Sequence, residues 1–284
     1  MTGGQYAGDV RGGLALAGTR DPVREGVRVA VLGPLTITGT AQDLQPKQAE
    51  LVVALALGSP GGTPGESLRG HLGTDPDHPR PSDSLRQVIT RTRRRLGRTP
   101  GGGEYIIHCG NAVYILDPAA SLDWDEFRLL ASCGRENGDR AALRAAVRLL
   151  RGQPLTGLYY WWLDPVLVET MRAEVVDVTA ELAELELSAA DPAAARRAAR
   201  AGLCTDRTAE QLWRLLMLAE DASGNTAGVY GAWRGCLDAI ADIAPGGQPH
   251  DDTAAVYRRL TGSRSERLGH LHRSLGPPAV RILG

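Results

Sequence analysis

Apolar residues are spaced differently in the two parts of this chain, and each spacing predicts different elements. Residues 27–37 read as two short strands joined by a turn at Gly33-Pro34. From Pro46 to Leu57 apolar side chains recur at helical spacing, and proline suits the first turn of a helix. The folded part of the chain is therefore expected to begin with a strand pair and a helix.

Two more helices and a hairpin complete this N-terminal pattern. A short helix is predicted over 64–72, with Thr63 as its N-cap, and a longer helix over 82–96. Two runs of strand-forming residues, separated by a Gly-Asn turn, follow at 105–109 and 112–116. The first part is thus expected to contain strands, three helices and a hairpin.

The second part, residues 123–260, shows helical periodicity almost throughout and an internal repeat of 34 residues. The pairs that show the repeat are Leu182 and Leu216, Asp191 and Asn225, Ala198 and Ala232, and Leu203 and Leu237. Tetratricopeptide-type helix pairs have this period, and they stack to bury a continuous core. Chance coincidence in a sequence rich in alanine and leucine is the alternative. The predicted fold class is an α+β domain followed by an all-α, tetratricopeptide-like domain.

The charges of the chain nearly cancel, with 32 basic and 33 acidic residues, so any nucleic-acid surface must be a local patch. All basic residues except Lys47 are arginine. The longest apolar run, 51–57, is too short to span a bilayer, and the N-terminus does not resemble a secretion signal. The four cysteines form no C-x-x-C pair, which favours a reducing compartment. We therefore expect a cytoplasmic protein without a membrane partner.

Motifs for catalysis, phosphate cradling and metal binding are missing from the sequence. It contains no G-x-x-x-x-G-K-[ST], G-x-S-x-G or H-E-x-x-H pattern. His270 and His272 are close together, but no cysteine or carboxylate cluster accompanies them at ligand spacing. The sequence predicts no enzyme, no cofactor, no metal site and no small-molecule substrate.

The predicted helix 82–96 is apolar on one side and cationic on the other. On a helical wheel its core face consists of Leu85, Val88, Ile89, Thr92 and Leu96. The opposite face consists of Gln87, Thr90, Arg91 and Arg94, with Arg86 and Arg93 on one flank and Arg95 on the other. A helix of this kind fits the DNA major groove, where arginine pairs with guanine and glutamine with adenine. An arginine-rich solvated face is the alternative.

Short motifs in both parts resemble one family of bacterial regulators. They are 29–35 (VAVLGPL), 46–51 (PKQAEL), 84–86 (SLR), 91–97 (RTRRRLG), 150–155 (LRGQPL), 189–192 (AADP) and 212–216 (LWRLL). Residues 27–118 resemble the winged-helix domain of the Streptomyces antibiotic regulatory protein family, which is itself similar to the output domain of OmpR-type response regulators. Residues 119–262 resemble the bacterial transcriptional activator domain of that family, a tetratricopeptide-like helical module.

The resemblance implies a DNA-binding transcriptional regulator, of the activator type, that is associated with the nucleoid. Its third helix is implied to read double-stranded DNA through Arg86, Gln87, Thr90, Arg91, Arg93 and Arg94. The hairpin is implied to be a wing, and the helical domain to mediate homodimer formation or contact with RNA polymerase. The flanking residues 1–26 and 263–284 are expected to be a flexible leader and a flexible tail.

Three residues depart from the family pattern. Thr92 stands in place of a core leucine, so either the helix packs less firmly or the hydroxyl bonds to the backbone. Gly73 stands in place of a tryptophan at the end of the second helix, and Val113 in place of a wing glycine. A second hypothesis is therefore a protein-interaction module derived from such a regulator, with weak or no DNA binding. This module could be the C-terminal part of a longer regulator.

An aromatic cluster, Tyr159-Tyr160-Trp161-Trp162, stands out because only 5% of the chain is aromatic. Packing between the first helices of the helical domain is one interpretation. The other is an exposed anchor for a partner protein, since aromatic side chains dominate binding hot spots.

Overall fold

The computed structural model describes residues 26–72, 81–158 and 165–274, including all their side chains except those of 81–83 and 263–274. The first part mixes short strands with three helices. In chain order its elements are β1 (Arg28–Ala30), β2 (Thr36–Thr38), α1 (Pro46–Leu57), β3 (Thr63–Pro64), α2 (Gly65–His71), α3 (Pro81–Leu96), β4 (Ile106–His108), β5 (Val113–Leu116) and β6 (Ser121–Leu122). The second part is helical. Its elements are α4 (Asp123–Asn137), α5 (Arg140–Val147), α6 (Pro165–Ser188), α7 (Pro192–Thr205), α8 (Glu210–Ala222), α9 (Thr226–Ile243) and α10 (Asp251–Ser274).

Two small sheets flank the three N-terminal helices. In the first, β1 pairs antiparallel with β2 and parallel with β6, so that Val29 lies opposite both Ile37 and Leu122. The second sheet has the antiparallel order β3-β5-β4 and contains the hairpin that follows α3. Strands, three helices and a closing hairpin in this order form a winged helix, as the sequence predicted.

The core face of α3 was located correctly by the sequence pattern. Leu85, Ile89 and Leu96 are each no more than 3% exposed. Thr92 is fully buried, and its hydroxyl donates a hydrogen bond to the carbonyl of Val88 at 2.8 Å. Of the two alternatives for this threonine, the hydroxyl that bonds to the backbone is confirmed.

Two local predictions in this domain were wrong. Thr63 is not a helix N-cap: it belongs to β3, its hydroxyl donates to the carbonyl of Ala54, and α2 begins at Gly65. The hairpin strands are also shorter than predicted. Asn111 and Ala112 have φ angles of 47° and 55°, a left-handed conformation that cannot continue a strand.

The predicted 34-residue repeat is confirmed as a repeat of helix pairs. α6 and α7 form one pair, and α8 and α9 form the next. The second helix of each pair is capped in the same way, because Asp191 accepts from the backbone N–H of Ala194 and Asn225 accepts from that of Gly228. Matching caps at equivalent positions show that the repeat is structural rather than compositional.

The last helix is longer than the sequence pattern predicted. α10 ends at Ser274, so the domain end predicted at residue 262 lies inside it, and residues 263–274 are helical where a flexible tail was expected. The sequence has no proline between residues 251 and 274 that would stop a helix. The expectations for residues 1–25, Gly73 and the aromatic cluster 159–162 lie outside the described residues.

A buried carboxylate joins the two domains. Asp123, the first residue of α4, accepts from the backbone N–H groups of Val31 and Leu32 at 2.7 and 3.1 Å. A guanidinium nitrogen of Arg151 lies 3.5 Å from the same carboxylate, and the Arg151 backbone N–H donates to the Leu32 carbonyl. Burial raises the pKa of Asp123, while these N–H groups and Arg151 lower it. The helical domain is thereby bonded to the N-terminal sheet.

Candidate nucleic-acid interface

The cationic face of α3 is exposed because the opposite face is packed into the core. Five of the six residues predicted to contact DNA are exposed, namely Arg86, Gln87, Thr90, Arg91 and Arg94. Four of them, from Gln87 to Arg94, follow the i, i+3, i+4 and i+7 spacing and therefore share one stripe of the helix. The structure thus brings most of the predicted residues together on one surface.

Arg93 is placed differently from the other predicted contact residues. It is only half-exposed, and its Nε lies 3.0 Å from both the carbonyl oxygen of Ile106 and the carboxylate of Glu104. Arg93 therefore connects α3 to β4, the first strand of the hairpin. Sequence reasoning missed this role because Glu104 and Ile106 approach α3 only through the tertiary fold.

The remaining arginines around α3 divide into bonded and unbonded groups. Arg95 donates to the backbone carbonyl of Asp43, and Arg98 lies 4.0 Å from Glu104. Arg86, Arg91 and Arg94 form no hydrogen bond or ion pair with the residues that the structure describes. Among the described residues their charge is therefore uncompensated on the exposed side of α3, which leaves it available to an anion.

The hairpin lies beside α3 and presents an exposed tip. The tip contains Cys109, Gly110 and Asn111, and the rings of His108 and Tyr114 lie 5.0 Å apart at its base. Val113 stands where the family that the sequence resembles has a wing glycine, and a different glycine makes room for it. A Cβ atom at Gly62 would lie only 2.7 Å from Cγ1 of Val113, so the missing side chain at Gly62 makes room for the valine.

A cationic groove extends the α3 surface towards the start of α1. It has a volume of about 660 Å³ and is lined by Gln42, Gln45, Pro46, Lys47, Gln48, Val88, Arg91, Arg94 and Arg95. None of these lining residues is acidic. Sequence reasoning missed Lys47 as a site residue, although it is the only lysine of the chain and follows the proline that starts α1.

The described residues provide neither a candidate metal site nor a membrane-spanning helix. Over the described residues, histidine, cysteine and carboxylate side chains nowhere gather in a group of three that could hold a metal ion. Within the same part of the chain, every helix is too short or too polar to cross a membrane. The charged surface of α3 is therefore the candidate site with the clearest chemistry.

Comparison with known proteins supports the architecture. The chain matches the structure of Mycobacterium tuberculosis EmbR, solved in complex with a low-affinity phosphopeptide, with 23% sequence identity and a TM-score of 0.61. The match covers 84% of this chain but only 65% of EmbR. No protein-family model matches the chain, and no curated protein sequence matches it. The structural match confirms the predicted fold class, a winged helix followed by an all-α helical domain.

Proposed function

We propose that this chain is a DNA-binding transcriptional regulator that inserts α3 into the major groove. The observation that carries the proposal is the charge of Arg86, Arg91 and Arg94, which no described residue pairs, on the exposed face of a core-anchored helix. Gln87 and Thr90 lie on the same face and supply polar groups that can bond to base edges. A helix of this diameter and charge fits the major groove of B-form DNA.

Contacts to bases and to phosphates are proposed to come from different parts of the surface. Gln87 and Arg91 both lie on the exposed stripe and would face base edges. Lys47 and Arg94 line the groove between α1 and α3 and would neutralise a backbone phosphate. The tip of the hairpin would lie over the neighbouring backbone as a wing.

The helical domain is proposed to mediate homodimer formation or contact with RNA polymerase, as in an activator of the Streptomyces antibiotic regulatory protein type. The sequence motifs and the EmbR-like architecture both support this assignment. On this proposal the protein acts in the cytoplasm, at the nucleoid, and needs no cofactor. Because the match spans less than two thirds of EmbR, the activity of that protein is not transferred to this chain.

Fluorescence anisotropy with labelled duplex DNA over a salt titration tests this function. We expect binding to weaken steeply with salt, and Arg91→Ala and Arg94→Ala each to reduce the affinity. A lost phosphate contact should reduce the slope of log K against log salt by about 1. Arg234→Ala is the matched control, because this arginine is exposed on α9, far along the chain from α3. Absence of binding at low salt, from a folded protein, would favour the interaction-module hypothesis instead.

A further inference from the structure

Two neighbouring grooves on the helical domain are built from equivalent residues. The first groove, between α5 and α7, is lined by Arg144, Val147, Arg148, Leu182, Glu186, Ala194, Arg197 and Ala198. The second groove, between α7 and α9, has a counterpart for each of them in Arg200, Leu203, Cys204, Leu216, Glu220, Gly228, Gly231 and Ala232. The groove is therefore part of the structural repeat, and α7 separates its two copies.

The buried glutamates hold both grooves in the same way. Glu186 binds Arg140 and Arg144 of α5, and Glu220 binds Arg196 and Arg200 of α7. Both carboxylates are at most 1% exposed, so they form the base of each groove. Because these acids are fully paired, they do not neutralise other cations at the mouths of the grooves.

Unpaired arginines lie at the mouth of the first groove, whereas the arginines that line the second groove, Arg200 and Arg207, are ion-paired with Glu220 and Asp242. Arg148 and Arg197 are exposed beside the first groove and form no ion pair with the described residues. Cys204 and Gly231 take their places in the second groove. The two copies therefore differ in charge where they meet a ligand.

The second groove is wider and more apolar than the first. Its volume is about 570 Å³, against about 360 Å³ for the first groove. Trp213 adds an aromatic wall, and the glycines at 228 and 231 remove side chains that the first groove has as Ala194 and Arg197. A Cβ at Gly228 would lie 2.6 Å from the Glu220 carboxyl carbon, so the glycine leaves room for the position that the Glu220 side chain takes.

We propose that the two grooves together bind one extended segment of a partner protein that carries a carboxylate and an apolar side chain. The carboxylate would lie between Arg148 and Arg197, and the apolar side chain would fill the groove beside Trp213. The two anchors lie on opposite sides of α7, and a helix with its side chains is about 10–12 Å across, so about three residues of extended chain separate the anchors. The charge of the first groove selects an acidic group, and the apolar second groove favours a peptide over a phosphate backbone.

Selection of a phage-displayed random peptide library on the full chain tests this inference. We expect the enriched peptides to carry an aspartate or glutamate about three positions from a large apolar residue. A labelled synthetic copy should lose about tenfold in affinity with Arg197→Glu, which reverses one rim charge. Gly231→Arg should cause a similar loss, because it fills the second groove with the side chain found in the first. A Cβ at Gly231 meets no atom within 4 Å, so this variant is compatible with the fold.

Arg234→Glu is the matched control, since it makes the same charge change on exposed surface outside both grooves. Equal loss of affinity with Arg234→Glu would overturn the inference, because binding would then follow net charge alone. The inference would also be overturned if no peptide were enriched on the wild type relative to the Gly231→Arg variant. If duplex DNA displaced the peptide from the groove beside Arg197, the occupant would be DNA. If the chain dimerised and Gly231→Arg abolished the dimer, the occupant would be a second copy of the chain. Either result would overturn the inference.

Discussion

Arg93 of α3 and Glu104, two residues before the first hairpin strand, form an ion pair with a 3.0 Å separation between Nε and the carboxylate oxygen. The same Nε donates to the carbonyl of Ile106 in that strand. The pair fixes the hairpin against the proposed recognition helix. It also removes Arg93 from the set of α3 arginines that have no partner among the described residues and that are proposed to contact DNA.

Replacement of Arg93 should therefore affect stability more than replacement of an unpaired arginine. We expect Arg93→Ala to lower the free energy of unfolding by about 1 kcal/mol, because a half-buried hydrogen bond to the backbone is lost. Arg86→Ala removes the same charge from the exposed face and should change stability by less than about 0.5 kcal/mol. Urea denaturation of both variants measures the difference, and equal losses would show that Arg93 has no structural role.

The buried carboxylate of Glu220 should be one of the most sensitive positions of the helical domain. Glu220→Ala would remove the buried acceptor of hydrogen bonds from Arg196, Arg200 and Asn225, and loss of hydrogen bonds to a charged group costs about 1.5–3 kcal/mol. The matched control is Glu169→Ala, which breaks an exposed pair with Arg172 and should cost less than about 1 kcal/mol. Thermal and urea unfolding measure both values. A small effect at Glu220 would mean that the repeated ion pairs do not hold the helix pairs together.

Glu50 on α1 should make stability depend on pH. The residue is only 8% exposed, and its Oε2 atom is buried with no hydrogen-bond partner in the described part of the chain. Burial raises the pKa of Glu50 above its ordinary value of 4.5, and the charge of Lys47 opposes this. Because the folded protein then holds the proton more tightly, the stability contributed by Glu50 is present in acid and is lost as pH rises through the folded pKa.

Glu50→Gln should accordingly be more stable than the wild type at neutral pH, by about 1 kcal/mol. The difference should shrink as the pH falls towards and below 4.5, the ordinary pKa of glutamate. Urea denaturation over a pH series measures it, with the exposed Glu66→Gln as control. A difference that is the same at every pH would rule out a raised pKa as its cause.

The four cysteines should differ in reactivity. Cys109, Cys133 and Cys204 are exposed, whereas Cys236 is buried in α9. Burial, with the nearby charge of Glu210, raises the pKa of Cys236 to about 11, so little thiolate forms there near neutral pH. A disulfide reagent applied to the native protein should modify three thiols rapidly and the fourth only after unfolding. If the wild type lost one more thiol in the rapid phase than the Cys236→Ala variant, Cys236 would be accessible in the native protein and the prediction would be wrong.

Local patterns in the sequence predicted the elements better than their contacts. The bounds of α1 and the buried face of α3 follow from side-chain periodicity, which is a property of each helix alone. Thr63 was misassigned because its hydroxyl bonds to Ala54 across a turn instead of capping α2. The strand β6 was missed because two residues are too few to show a period.

The candidate DNA surface shows the same limit. A helical wheel predicted the exposure of Gln87 and Arg91, because it needs only the position of the core. It could not predict that Arg93 is bonded to Glu104 or that Lys47 lines the same groove as Arg94, since tertiary packing brings each pair to one surface. Geometry therefore changed which cations are proposed to contact DNA.

The most direct test of the central claim is selection of binding sites from a random duplex DNA pool by the wild type and by single variants of α3. If α3 reads the major groove, the wild type will enrich a defined sequence, and Gln87→Ala and Arg91→Ala will each lose the preference at one base position. One bidentate contact is worth about 1–3 kcal/mol of discrimination, which is enough to change the selected base. Arg234→Ala should select the wild-type sequence. The same sequence from every variant, or no sequence from the folded wild type, would contradict the proposed role of α3.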